Sequence, residues 1–275
     1  MHQPPSPEAD CRVTALYVYP VKSLAGIAVD AFRLTDRGPE HDRRWMLVDA
    51  DGRFLTQREH PRLALFTTAF EGGRLVIGHR HHPDDRIELP LRPTGGETLR
   101  VSVWDDVCEA VHASPEASAG ISRRLGSTVR IVHMPDATRR PVDADYALQA
   151  DITSFSDGYP LLLIGQASLD DLNARLPVPV GMERFRPNIV FTGGQPYLED
   201  RLRSFTLNGI PFQGVKPCAR CVLTTVDPLT GGTGPEPLRT LATYRSRGGK
   251  VLFGMNLLCP AATGRIAVGD MLAIP

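Results

Sequence analysis

The chain has 275 residues, 42% hydrophobic and 23% charged, enough to bury one large core or two ordinary ones. Lys+Arg and Asp+Glu are equal at 31 each, so net charge gives no basis for a membrane-surface binder, and no stable nucleic-acid binding is expected. Five cysteines, of which only Cys218 and Cys221 are close in sequence, exclude a disulfide framework and point to a reducing cytoplasm, and neither a secretory leader over residues 1–10 nor a run of the ~20 apolar residues that span a membrane is found.

Gly 25 and Pro 24 punctuate many short apolar runs, which predicts sheets and barrels rather than long helices. Val13 to Tyr19 reads as a strand ending at Pro20. Arg44 to Val48 and Arg53 to Thr56 flank Asp49-Ala50-Asp51-Gly52, a hairpin signal. Leu63 to Phe70 and Arg74 to Ile77 flank Glu71-Gly72-Gly73 and read as a second hairpin, and Ile87 to Leu91 and Leu99 to Val103 continue a β-rich first half. Ser114-Pro115-Glu116 opens a short helix, with serine as N-cap and proline in its first turn, ending near Leu125-Gly126. Val129 to His133 is the next strand, and a domain boundary is expected near residues 115–130. Pro135 to Ser156 reads as a long polar irregular loop, of the kind that is mobile or functional. Leu161 to Ile164 is a buried strand, followed by a helix from Ser168 to Leu176 with a capping-box-like Ser-x-x-Asp start. Asn188 to Thr192, then Phe205 to Phe212 around Asn208-Gly209, are strands. After Cys218-Ala219-Arg220-Cys221 a strand-like run leads to Asp227-Pro228. Leu238 to Tyr244 is a short helix, and Val251 to Leu258 and Arg265 to Ile274 finish as strands.

The thiol pair is the sharpest chemical signal. A thiol held among cations is biased toward thiolate, the nucleophilic and metal-binding form. A structural zinc site needs four ligands, and no second pair or His-x-x-x-His supplies them, while Cys11, Cys108 and Cys259 are isolated. A redox dithiol belongs where a strand enters a helix, and here a strand is expected after the motif. Two readings stay open: a pair of small core residues beside a turn, or one thiolate ligand to a metal whose other ligands come from an anionic cofactor. Cations at strand ends could hold such a cofactor: Lys22-Ser23, Arg43-Arg44, Arg184, Arg186 and Arg220. His79-Arg80-His81-His82 reads as a solvated hairpin loop. Asp157 is either an Asx-type turn or an acid at a pocket rim. No Gly-x-Ser-x-Gly, Walker or Gly-x-Gly-x-x-Gly motif is present.

Several motifs occur in one order: Tyr19-Pro20-Val21-Lys22-Ser23, Asp42-Arg43-Arg44-Trp45, Phe155-Ser156-Asp157, Ser168 to Asn173, Phe185 to Val190, Cys218 to Cys221 with Thr224 to Pro228, and Val268-Gly269-Asp270. In these the chain resembles the MOSC family, in the branch with an N-terminal MOSC β-barrel domain that holds the mitochondrial amidoxime reducing component and bacterial YcbX-like proteins. The resemblance implies a mainly β, α+β fold: a barrel-like N-terminal domain over residues 11–125, a MOSC barrel over 126–275, and a cofactor at their interface. It implies a molybdenum cofactor (Mo-molybdopterin) with Cys221 as the protein ligand to the metal. The matching cofactor-binding positions are Lys22, Ser23, Arg43, Arg186, Ala219, Arg220 and Asn256, with Gly158 and Tyr159 where the mitochondrial relatives carry small hydroxyl residues. Gly158 can offer only backbone contacts, and Tyr159 adds bulk. Arg44 stands in place of an aromatic. The implied activity is reduction of small N-hydroxylated compounds (hydroxylamines, amidoximes, N-hydroxylated bases), with Asp157 and Asn188 orienting substrate or an oxo ligand. No membrane anchor and no Cys-rich ferredoxin extension are seen, so a separate flavin, haem or iron–sulfur protein is expected to supply electrons. The alternative is a non-reducing cofactor or sulfur carrier, with Cys218 and Cys221 as persulfide candidates, and a zinc-stabilised β protein is third.

Overall fold

In the strand Arg12–Val18 a bulge between Val13 and Ala15 resets the alternation, so Val13, Leu16 and Val18 all face one core. This strand begins the described part of the computed structural model, which covers residues 11–274; the expectation about a leader over residues 1–10 lies outside the described residues. Arg12–Val18 does not stay with the first half of the chain. It pairs antiparallel with Ile189–Thr192 inside the largest sheet, whose order is Ile27–Val29, Arg12–Val18, Ile189–Thr192, Leu161–Gly165, Lys250–Leu258, Ile210–Arg220, Ser204–Leu207 and Leu272–Ala273. Leu161–Gly165 and Ile189–Thr192 run parallel, and the crossover that parallel pairing demands carries the helix Gln166–Asn173. One face of this sheet buries Leu163, Phe191, Phe205, Phe212 and Met255, with Phe205 and Phe212 stacked at 5.7 Å.

The first half contributes a four-stranded sheet in the order Trp45–Val48, Arg130–His133, Asp106–His112, Thr98–Val103. A three-stranded meander, Phe66–Glu71, Arg74–His79 and His82–Pro90, closes over Trp45, Leu63, Phe66 and Leu75. Strand pairing crosses a cut at residue 125 in both directions: Arg130–His133 sits inside the first-half sheet, and Arg12–Val18 inside the second-half sheet. The described residues are mostly strands with three α-helices, an α+β protein.

The local signals explain most elements. Ser114 Oγ accepts from Ala117 N at 3.0 Å, Pro115 opens the helix Pro115–Leu125, and Gly126 ends it at φ 71°. Asn208 and Gly209 take φ 49° and 74°, the conformation a two-residue hairpin requires. The structure corrects three expectations and adds one strand that the sequence reading did not contain. The second helix starts at Gln166, so Ser168 is not its cap; Ser168 is buried and donates to Glu199 at 2.8 Å while accepting from Tyr197 N. Asp106–His112 is a strand without a strong local signal, since only Ala110 in it is fully buried; pairing with Thr98–Val103 and Arg130–His133 makes it. The run after Cys221 is a 3₁₀ turn, Val222–Thr225, held by the Thr224 and Thr225 hydroxyls on backbone carbonyls. The predicted final strand breaks into Gly264–Ala267 and Leu272–Ala273, because Asp270 bonds Ala267 N across a turn.

Candidate cofactor site

A cavity of about 590 Å³ opens between the two halves of the chain. Lys22, Ser23, Arg43 and Arg58 reach it from the first half, and Asp157 to Tyr159, Arg186, Asn188, Cys218 to Cys221 and Asn256 from the second. The sheet pairings bring together every site residue expected from the sequence. Arg44 alone among the neighbouring cations turns away; it lines a second cavity with His133 and Asp136.

Asp42 organises one wall. Its buried carboxylate accepts from Tyr19 N at 2.8 Å and Asn188 Nδ2 at 3.1 Å, and pairs with the Arg43 guanidinium. Burial pushes the Asp42 carboxyl above the usual range, against the pull of Arg43 and those hydrogen bonds. Asn188 Oδ1 accepts from Arg43 and Leu162 N, both at 3.2 Å, and its amide nitrogen also donates to Tyr17 O. That side chain is fully engaged within the protein. The guanidinium groups of Arg43 and Arg186 each lie 4.3 Å from the Tyr19 ring centroid, two cation–π contacts on one ring. Burial, with Arg43 nearby, pulls Arg186 down to about 10. Ser23, Arg43 and Arg186 all sit at positive φ (68°, 48° and 56°), a conformation that non-glycine residues rarely adopt and that clusters at ligand-binding sites. Gln57 Nε2 locks the first by donating to Ser23 O at 2.6 Å.

A polar relay forms the other wall. Lys22 Nζ donates to Phe155 O at 2.8 Å and to Asp157 at 2.6 Å; Arg58 donates to the other Asp157 oxygen at 2.8 Å and, through Nε, to Cys221 Sγ at 3.0 Å. Lys22 is 4% exposed, and burial pulls its ammonium down to about 8 despite Asp157. Asp157 feels desolvation in the opposite sense, yet the charges and hydrogen bonds of Lys22 and Arg58 win and hold it below the usual carboxylate range. Its side chain remains 55% exposed, so water screens part of that attraction. These bonds to two cations, not to its own backbone, replace the Asx-turn reading of Asp157. The segment is fixed from behind by buried Arg140, which donates to Ser154 O at 2.9 Å and to Asp106 at 2.7 Å.

Cys218 and Cys221 differ in their surroundings. Cys218 lies at the end of the strand Ile210–Arg220, where the register slips between Pro217 and Ala219, and accepts from Arg220 Nη1 at 3.0 Å. Arg220 also donates to Phe185 O, while its buried Nε has no partner. Cys221 stands at the start of the 3₁₀ turn with its thiol sulfur on Arg58. Asn256 donates to Lys216 O at 3.0 Å across the sheet. Tyr159 keeps its buried hydroxyl unpartnered, and Gly158 and Ala219 contribute backbone to the lining.

Sequence reasoning missed Arg58 and Arg140. Arg58 carries the same weak signal as the others, a cation just past a predicted strand (Thr56-Gln57-Arg58). Arg140 sits in the loop expected to be irregular and has no local signal. Among the described residues no group of three or more His, Cys, Asp or Glu could hold a metal ion, so the zinc reading of the thiol pair is unsupported. His79 and His82 face each other across a hairpin, as the polar-loop reading expects.

The cavity is strongly one-signed. Lys22, Arg43, Arg58, Arg184, Arg186, Lys216, Arg220, Arg247 and Lys250 line it against a single carboxylate, Asp157. A polyanionic ligand that needs one soft sulfur donor suits this chemistry.

Comparison with known proteins gives the same family. Residues 10–128 match the MOSC N-terminal beta barrel domain and residues 151–273 the MOSC domain. The chain is 34% identical to mitochondrial amidoxime-reducing component 1 of Homo sapiens, covering 94% of this chain and 81% of that protein. It is 33% identical to mitochondrial amidoxime reducing component 2 of Rattus norvegicus over 85% of this chain and 72% of the relative. It is also 30% identical to molybdenum cofactor sulfurase of Solanum lycopersicum over 89% of this chain, which is 33% of that longer protein. No helix of the described residues is long and apolar enough to cross a membrane. With both domain models in order and a relative 34% identical over 94% of this chain, the chain belongs to the MOSC family, in the group that joins a MOSC N-terminal beta barrel domain to a MOSC domain.

Proposed function

We propose that the protein is a molybdenum-cofactor oxidoreductase that reduces N-hydroxylated compounds: R–NHOH with two electrons and two protons gives R–NH₂ and water. The observation that carries this reading is the Cys221 sulfur on the wall of a cation-lined cavity to which both halves contribute. The residues present fit the group. Unpartnered Arg220 Nε, the Arg43 and Arg186 guanidiniums on Tyr19, and the left-handed backbone at Ser23, Arg43 and Arg186 form a preorganised anion site. Lys22, Ser23, Arg43 and Arg186 would hold a phosphate, Ala219, Arg220, Asn256 and the backbone at Gly158 and Tyr159 a pterin, and Cys221 the metal.

When bound in its reduced form, the cofactor would supply the two electrons that cleave the substrate N–O bond. Asp157 stays ionised and half-exposed, so it can orient a substrate N–H or O–H. Lys22 keeps a proton 2.6 Å from that carboxylate, ready for the oxygen that leaves as water. Asn188 acts through Arg43 and Asp42 and is a positioning residue rather than a substrate contact. Electrons come from a separate flavin, haem or iron–sulfur protein, and five free thiols accord with a reducing cytoplasm.

Molybdenum and released pterin measured on purified protein test the reading. Cys221→Ser should lose molybdenum and Cys218→Ser should keep it; full molybdenum occupancy in Cys221→Ser sinks the ligand assignment. The similarity to a molybdenum cofactor sulfurase favours a second reading, a non-reducing cofactor or sulfur carrier. Loaded protein that fails to reduce benzamidoxime with a chemical electron donor would support it.

A further inference from the structure

Two cations of the polar relay rest on aromatic rings that have no part in the chemistry described so far. Lys22 Nζ lies 5.2 Å from the Phe54 ring centroid, and the Arg58 guanidinium carbon lies 4.7 Å from that of Trp104. The two rings pack on each other at 5.0 Å. The two cations that share Asp157 therefore stand over two touching rings. Backbone bonds set the rings side by side: Phe54 N donates to Ser102 O at 3.3 Å and Ser102 N to Gly52 O at 2.9 Å. Phe54 belongs to the core, but Trp104 is 44% exposed, so burial accounts for only part of its presence. Its backbone is also strained. Trp104 and Asp105 form the two-residue turn between Thr98–Val103 and Asp106–His112, with Val103 opposite Asp106 and φ 57° at Trp104. Such a turn favours glycine or asparagine at that position, and a bulky residue there is an outlier of the kind that gathers at functional sites. What the ring touches is Arg58, whose three nitrogens donate to Thr56 Oγ1 at 3.1 Å, to Asp157 at 2.8 Å and to Cys221 Sγ at 3.0 Å. A long flexible side chain keeps one geometry only under restraint, and half-exposed Asp157 is a screened anchor.

We infer that Trp104 is a positioning residue: backed by Phe54, its ring keeps the Arg58 Nε–H on the Cys221 sulfur. A hydrogen bond from a cation draws electron density from the sulfur and so favours the reduced, more electron-rich state of a metal bound to it. The consequence for the metal rests on the reductase reading; the hold on Arg58 does not.

Three variants separate the ring from its bulk. Trp104→Gly removes the ring and relieves the turn, Trp104→Leu keeps bulk without a π face, and Trp104→Phe keeps an aromatic face. The first readout is the exchange of the Arg58 Nε–H with water in cofactor-free protein, followed by NMR on arginine-labelled samples and identified by its loss in Arg58→Leu. Exchange should speed up about tenfold in Trp104→Gly and Trp104→Leu and stay within about twofold of wild type in Trp104→Phe. A rate unchanged in Trp104→Gly and Trp104→Leu overturns the inference; if KM for benzamidoxime rises alongside it, the ring is a substrate contact instead. The second readout is the molybdenum couple of the holoprotein, titrated with dithionite and redox mediators. Trp104→Gly should move it about tenfold toward the oxidised state, about 30 mV lower for two electrons. Added to Arg58→Leu it should move the couple no further, as a residue acting through Arg58 requires; a full second shift overturns that link. If the purified protein binds no molybdenum, the reductase reading fails, and the exchange rate alone decides whether Trp104 holds Arg58.

Discussion

Four side chains, Lys22, Asp157, Arg58 and Cys221, make one hydrogen-bonded chain across the cavity wall. Its pH behaviour follows from burial. Lys22 holds its proton below about pH 8 and loses it above, where an ordinary lysine would stay charged to about 10.5. Asp157 stays ionised through the same range, because its shift is downward. We therefore expect kcat/KM to be flat below about 8 and to fall above it. Lys22→Arg, whose guanidinium keeps its charge, should push that limb to higher pH. An unmoved limb in a pH–rate profile of this variant would assign it to another group. At the same scale the two thiols are unequal, with molybdenum loss expected in Cys221→Ser and retention in Cys218→Ser. Of this wall, Lys22, Asp157 and Cys221 are legible as motif residues. Arg58 is not, since a cation after a strand is common and only the fold aims it at the sulfur.

Strand Ile210–Arg220 delivers Cys221, and its two register shifts, between Gly214 and Lys216 and between Pro217 and Ala219, set where that end points. Gly214 makes the first shift compatible with packing, because a Cβ there would sit inside the van der Waals envelope of the Leu202 carbonyl oxygen. Gly214→Ala should cost about 1–3 kcal/mol by overpacking, lowering Tm by roughly 2–9 °C, and scanning calorimetry checks it. The crossover helix carries a different signature. Glu199 is fully buried with Oε1 unpartnered, and burial pushes its carboxyl up to about 7 against the bonds from Ser168 and Gly165. The folded state thus keeps a proton that the unfolded chain releases above about 4.5, so stability falls as pH rises from about 4.5 to 7, by about 3 kcal/mol at most. Glu199→Gln should be more stable than wild type at pH 8 and lose that advantage at pH 4.5 in urea titrations. The Ser-x-x-Asp pattern pointed to a cap; Ser168 is instead the partner of this buried acid, because Gln166 and Ala167 already continue the helix N-terminally.

At the scale of the molecule the halves are interleaved. Arg12–Val18 supplies Val13, Leu16 and Val18 to the second-half core, and Gly264–Ala267 pairs back onto Ala31–Thr35. Residues 134–275 expressed alone would expose the edge of Ile189–Thr192 and leave that core open. This fragment should lack the cooperative unfolding transition and near-UV circular dichroism of the full chain. A folded fragment would show that the N-terminal strand is dispensable. The Asp42–Asn188–Arg43 network ties the same interface, joining a turn of the first half to the edge of Ile189–Thr192.

The sequence by itself determined what depends on neighbours in the chain. Ser114, Pro115 and Gly126 set one helix, Asn208-Gly209 set a hairpin, and the order of the motifs from Lys22 to Cys221 marked the family and the cations of the site. Tertiary structure alone decided what depends on segments more than a hundred residues apart. It put Arg58 on the Cys221 sulfur and tied Asn188 to Arg43 and Asp42. The reason is physical: capping and turn chemistry act over a few residues, whereas these contacts are fixed by strand register, and a shift of one residue moves a side chain to the other face.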